Sequence, residues 1–158
     1  MRARPWTHVA IAIYVEDLEA WERFAGVRIS SGDAVFIRTG RWARRAAVGP
    51  WNLGESAAGL DASVIPWLRE QDVALLGSEA AVDVVPRPAG TEITNPDDYL
   101  PVHNFVLVAL GMPLLDGCQL DGLAEAAAAR GRWEFLVPAA PLPIVNGTGS
   151  PINPTVLF

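Results

Sequence analysis

The run over residues 101–117, PVHNFVLVALGMPLLDG, leaves this chain few ways to fold. It is almost entirely apolar, and Gly111 divides it. Pro101 has the fixed φ that suits a first helical turn, so the pattern predicts a helix over 101–110 that Gly111 ends. MPLLD (112–116) then reads as a short strand. A helix that reverses into an apolar strand must lay both elements on a shared core. Two residues break the pattern, His103 near the start and Asp116 near the end. Their spacing admits two readings. His103 satisfies a helix terminus and Asp116 opens the turn before Gly117, or the reversal at Gly111 brings both side chains together as two arms of a metal site.

Similar punctuation runs through the rest of the chain. HVAIAIY (8–14) has the β-branched content of a strand. EDLEAWERFAG (16–26) places Leu18, Trp21 and Phe24 or Ala25 on one helical face, with Gly26 as a stop. SSGD (30–33) is a turn into the strand AVFIRTG (34–40). Residues 41–60 read as irregular, with RWARR (41–45) as a solvated loop in preference to an anion site. DASVIPWLREQ (61–71) predicts a short helix capped by Asp61 or Ser63, with Pro66 in its first turn. VALLG (73–77) and VDVVP (82–86) read as strands, and 87–101 as a long polar loop. DGLAEAAAARG (121–131) predicts a helix. WEFLV (133–137), LPIV (142–145) and TVLF (155–158) read as strands, with NGTGSPINP (146–154) a loop between the last two. The expected class is α/β, a mixed sheet with packed helices, in a single domain over residues 1–158.

Composition excludes several functions. The chain has 158 residues, of which 51% are hydrophobic and 19% charged, enough to bury a core. A net charge of −6 argues against a nucleic-acid partner, because phosphate backbones are held by clustered positive charge. The single cysteine, Cys118, rules out an intrachain disulfide and reads as a bystander thiol. The apolar stretch 9–15 is short and followed by acids, neither a signal peptide nor a membrane span, so the expected setting is cytoplasmic without a membrane partner. GTGSP (147–151) is not the G-x-S-x-G turn of a serine hydrolase, since a proline follows the serine. Asp97 and Asp98 sit in a polar loop, where solvation or capping accounts for them.

Four stretches in order resemble one family. SSGDAVFIRTGRW (30–42) is similar to its G-D-x-V-x-x-R-T-G segment. AGLDASVIPWLREQDVALLGSE (58–79) is similar to its G-L…W-L segment and the strand that follows. PVHNFVLVALGMPLLDGCQLDGLAE (101–125) resembles its histidine…acid segment, and PLPIVNGTGSPINPTVLF (141–158) its G-T-G-S-P ending. The family is the cyclase family, which includes bacterial kynurenine formamidases, enzymes of tryptophan catabolism, and isatin hydrolases. The resemblance implies a swivelling β/β/α fold, here N-terminally truncated. It also implies a metal-dependent hydrolase that opens amide bonds of small aryl-formamide or cyclic amide substrates with manganese or zinc.

By that resemblance His103 matches the family's late histidine ligand and Asp116 its late acidic ligand, although Gly117 stands where asparagine commonly follows. The family's N-terminal H-x-G-T-H-x-D-x-x-x-H motif, which supplies most ligands and the catalytic histidine, is missing. Thr7 and His8 keep a Thr-His pair, but Ala10 replaces the aspartate. No catalytic residue is therefore assigned. Two functions follow as expectations. One is a hydrolase, incomplete or inactive as the isolated chain, which takes its missing ligands from a complementing N-terminal half or from a longer native product. The other is a non-catalytic remnant that acts as a homodimerisation or ligand-binding module.

Overall fold

The structure, a computed structural model, describes residues 10–88 and 99–158. The chain divides into two compact units, Met1–Asp121 and Gly122–Phe158. In the first unit, strand β1 (Ala12–Ile13) leads into helix α1 (Val15–Ala25), which Gly26 ends at φ 68°. Asp33 accepts the Ser30 N–H at 2.8 Å and closes the turn into β2 (Ala34–Ile37). Helix α2 (Arg41–Val48) follows, then β3 (Gly59–Leu60) and a 3-10 turn at Ala62–Val64 capped by Asp61. After it come α3 (Ile65–Glu70), with Pro66 in its first turn, and β4 (Leu75–Ser78). Helix α4 (Pro101–Val108) and strand β5 (Leu114–Leu115) complete the set, and α5 (Asp121–Arg130) begins at the division.

The α/β class holds, but among the described residues the strands form two sheets rather than one. β1 pairs with β3, and β4 lies between β2 and β5; all these pairings are parallel. Parallel neighbours are joined by crossovers and not by hairpins, so local sequence carries no signal for which strands pair. The core of the first unit gathers Leu60, Val64, Leu68, Leu76, Val102 and Val106, each almost fully buried, with Trp67 and Met112 beside them. The predicted run over 101–117 behaves as expected. Val102 and Val106 of α4 enter this core, Gly111 turns the chain at φ 65°, and β5 joins β4.

Four expectations change. RWARR is part of α2 and not a loop, because the buried Glu79 caps its first turn from far along the chain. On α1, Leu18 packs against the core, but Trp21 and Phe24 are exposed and stack on each other at 5.0 Å. The segment VDVVP forms two isolated bridges, Leu60 with Asp83 and Ala57 with Val85, instead of a strand. In the second unit, the three expected strands reduce to one bridge between Leu136 and Leu157. Apolar composition alone does not make a strand where neighbouring backbone is not aligned to receive its N–H and C=O groups. There Phe135 meets Phe158 edge-on at 5.7 Å, and the Arg130 guanidinium lies 4.8 Å from the Phe158 ring centre.

Candidate metal centre

The chemistry-bearing residues of the first unit gather at one edge of the β2–β4–β5 sheet. Because the three strands run parallel, their C-terminal ends share that edge, where α/β folds characteristically place ligands. Arg38–Arg41 follow β2, Glu79 follows β4, and Asp116–Cys118 follow β5.

Glu79 is wholly buried and organises the loop after β2. Its Oε2 accepts the backbone N–H groups of Thr39 at 2.9 Å, Gly40 at 2.7 Å and Arg41 at 3.0 Å. The Thr39 hydroxyl donates to the same oxygen at 3.2 Å. In return the Arg41 guanidinium donates to the Glu79 carbonyl. A carboxylate at a helix N-terminus also complements the helix dipole, and the first N–H of α2, that of Arg41, has its acceptor within the chain. Burial, and next the nearby Arg45, lower the Arg41 pKa, while Glu79 opposes both. Outside this loop Arg38 pairs with Asp121 at 2.7 Å.

His103 lies in the first turn of α4, and Asp116 lies just beyond β5. The structure brings them together, with Nδ1 of His103 3.6 Å from Oδ2 of Asp116. That separation is too long for a hydrogen bond. The His103 Nδ1 is nevertheless buried and has no hydrogen-bond partner. Burial raises the Asp116 pKa above the ordinary carboxylate value, and His103 offsets part of the rise. Cys118 is held by its surroundings. Its thiol donates to the Leu115 carbonyl at 3.2 Å, its N–H to the Ser78 carbonyl at 2.9 Å, and its carbonyl accepts the Trp42 indole N–H at 2.7 Å. Burial, and next the Asp116 charge, push the thiol pKa up, which is the opposite of what a nucleophile needs.

Two donors bonded at about 2.1 Å to one tetrahedral ion stand about 3.4 Å apart. The spacing of His103 Nδ1 and Asp116 Oδ2, together with the unpartnered nitrogen, fits two arms of a metal centre. A catalytic zinc site uses three protein ligands. Among the described residues no group of three or more His, Cys, Asp or Glu side chains is placed to hold an ion. Thr7, His8, Asp97 and Asp98 lie outside the described residues.

Two acidic residues that matter here escaped the sequence reading. Glu79 stands just beyond one predicted strand and Asp83 inside another, and neither position reveals a distant backbone partner. Asp83 Oδ1 accepts the Val102 N–H at 2.7 Å, and its Oδ2 accepts the His103 N–H at 2.9 Å. Ser150 of GTGSP accepts the Leu142 N–H at 3.0 Å, so this hydroxyl braces its own loop. Among the described residues no helix is long and apolar enough to cross a membrane.

Comparison with known proteins bears on the family and the fold. No curated protein matches the chain in sequence. A family model described as "Putative cyclase" matches residues 3–83, just over half of the chain. The crystal structure of a novel cyclase is 29% identical with a TM-score of 0.76, over 95% of this chain and 48% of that one. Isatin hydrolase A from Ralstonia solanacearum is 26% identical with a TM-score of 0.69, over 94% of this chain and 54% of that one. A potential metal-dependent hydrolase with cyclase activity shares the fold alone, at 18% identity and a TM-score of 0.58, over 96% and 60% of the two chains. The chain therefore spans about half the length of the solved structures it matches. With the family model across more than half of its residues and the same α/β scaffold beneath, the chain belongs to the cyclase family.

Proposed function

We propose that the chain is part of a metal-dependent hydrolase that opens the amide bond of small aryl-formamide or cyclic amide substrates. In this reading His103 and Asp116 are two of the ligands to a zinc or manganese ion. The observation that carries it is the buried, unpartnered Nδ1 of His103 facing Asp116 Oδ2 at 3.6 Å. The likeness to an isatin hydrolase supports the substrate class. When bound, a divalent ion supplies a nucleophilic water at neutral pH and polarises a carbonyl oxygen. This chain's own residues bind and orient. His103 offers a nitrogen from a helix start, Asp116 offers an oxygen from a strand end, and Glu79 fixes the loop beside them. The remaining ligands and the general acid/base belong to a complementing N-terminal half or a longer native product, so the isolated chain is incomplete.

Bound metal and turnover test this directly. The purified chain is dialysed against zinc or manganese and assayed on N-formylkynurenine and isatin, alone and with a protein that carries the N-terminal half. The reading expects weak metal uptake alone, stronger uptake with turnover on complementation, and loss of both in His103→Ala. Metal uptake that His103→Ala and Asp116→Ala leave unchanged would sink it. A second reading, a non-catalytic remnant that self-associates, is favoured by α4. In that helix Val102 and Val106 enter the core, yet Phe105, Leu107 and Val108 are exposed. A concentration-dependent dimer that takes no metal and gains no activity on complementation would select this second reading.

A further inference from the structure

We infer that Asp83 is a positioning residue of the proposed metal site, in that its carboxylate sets the first turn of α4 so that His103 faces Asp116. This rests on the reading of His103 and Asp116 as ligands, and it begins from a helix start that cannot cap itself. The N-cap position is Leu100, whose side chain offers no acceptor, and Pro101 after it has no N–H. The next two backbone donors, from Val102 and His103, go one to each oxygen of Asp83, at 2.7 and 2.9 Å. One of the two peptide groups so fixed is that of the ligand itself.

Asp83 is able to act as a fixed reference because its own backbone is clamped. The residue is 1% exposed and bridged to Leu60. Leu60 donates to the Val82 carbonyl at 2.7 Å and accepts the Val84 N–H at 3.2 Å. The neighbouring Gly59 lies so close that a Cβ there would stand 2.3 Å from the Asp83 carbonyl. On the opposite side, Asp116 follows a strand whose register is set by Leu76 against Leu114 and Gly77 against Leu115. The 3.6 Å spacing of the pair thus joins two anchored pieces of backbone, and Asp83 is the link on the histidine side. A carboxylate has two acceptors for two adjacent N–H groups, whereas an amide has one oxygen. Outer residues that orient a ligand in this way typically change metal affinity by about 10–100-fold.

Zinc affinity is measured by competition with a chromophoric chelator on the whole chain, for the wild type, Asp83→Asn, Asp83→Glu and Asp61→Asn. Asp83→Glu keeps both acceptors but displaces them by a methylene, and provides a second variant if Asp83→Asn does not fold. Asp61→Asn makes the same exchange at a different cap, the 3-10 turn, where one oxygen suffices, and controls for loss of a carboxylate elsewhere in the chain. The expected result is zinc binding weakened about 10-fold or more in the Asp83 variants and unchanged in Asp61→Asn. Wild-type affinity in a folded Asp83 variant overturns the inference, as does an equal loss in Asp61→Asn. If the wild type takes no zinc, or His103→Ala takes as much as the wild type, the ligand reading fails separately. Asp83 is then decided without metal by NMR contacts between the His103 ring and the Asp116 β-protons. Loss of those contacts in Asp83→Asn supports the positioning role, and their retention overturns it.

Discussion

Glu79 and Arg41 hold each other in both directions: the Glu79 carboxylate accepts the Arg41 backbone N–H at 3.0 Å, and the Arg41 guanidinium donates to the Glu79 carbonyl. The exchange ties the end of β4 to the start of α2, at the sheet edge where His103 and Asp116 also meet. Glu79→Ala would leave three backbone donors without their acceptor. It should lower stability by about 2–4 kcal/mol. Glu79→Gln keeps one oxygen in place and should lose less. Urea unfolding of both variants checks the order, and equal losses would contradict it.

Two glycines differ in what stands against them. A Cβ on Gly59 would meet the backbone carbonyl of Asp83 at 2.3 Å, and backbone cannot swing aside. A Cβ on Gly77 would meet the Phe36 ring at 2.5 Å, and a ring can. Gly59→Ala should cost about 2 kcal/mol or more, and Gly77→Ala about 1 kcal/mol. Thermal melts of the pair give the comparison, and a reversed ranking would show that the Asp83 segment yields.

The raised pKa of Asp116 has a definite sign in stability. Folding makes this carboxyl harder to ionise, so the folded state holds its proton to higher pH than the unfolded chain does. Its contribution to stability is therefore lost as pH rises from the unfolded carboxylate value, about 3.9, through the raised folded value. Asp116→Asn removes that loss. The variant should gain on the wild type across this window and keep the gain above it, with a size limited by the side chain's 41% exposure. Urea midpoints measured from acid to neutral pH test this, and a difference that does not change with pH would refute it.

Cys118 should be slow toward thiol reagents. Burial and then the Asp116 charge raise its pKa, which reduces the thiolate present at neutral pH. Asp116→Asn removes the larger of the two charges that raise it, the other being Glu79, and should speed alkylation at constant pH, while burial keeps the rate below that of a free thiol. Iodoacetamide kinetics on the two proteins decide it. No change in rate would show that the Asp116 charge does not act on the thiol.

Much of this molecule was legible in its residues because the signals were local. Gly26 ends α1 where the sequence placed the stop, and Gly111 turns the chain shortly after α4, both at positive φ. Asp61 caps the turn and Pro66 sits in the first turn of α3 as expected. Misreadings arose where a distant partner decided the outcome. The α1 pattern did not show that Trp21 and Phe24 would lie on the surface, since the helix face that meets the core depends on what packs against it. RWARR lacks a local cap, so nothing nearby announces a helix; its acceptor is Glu79, 38 residues away from Arg41.

The sequence by itself determined the alternation of helices and short strands, and the chemical identity of a histidine and an acid set apart in an apolar run. Only the tertiary structure decided that they meet. Strand register and the Asp83 cap bring His103 Nδ1 to 3.6 Å from Asp116, and burial leaves that nitrogen without another partner. Spacing along a chain constrains which residues are able to approach. Which ones do is fixed by the backbone groups that must find hydrogen-bond partners on folding, and those partners lie far away in sequence.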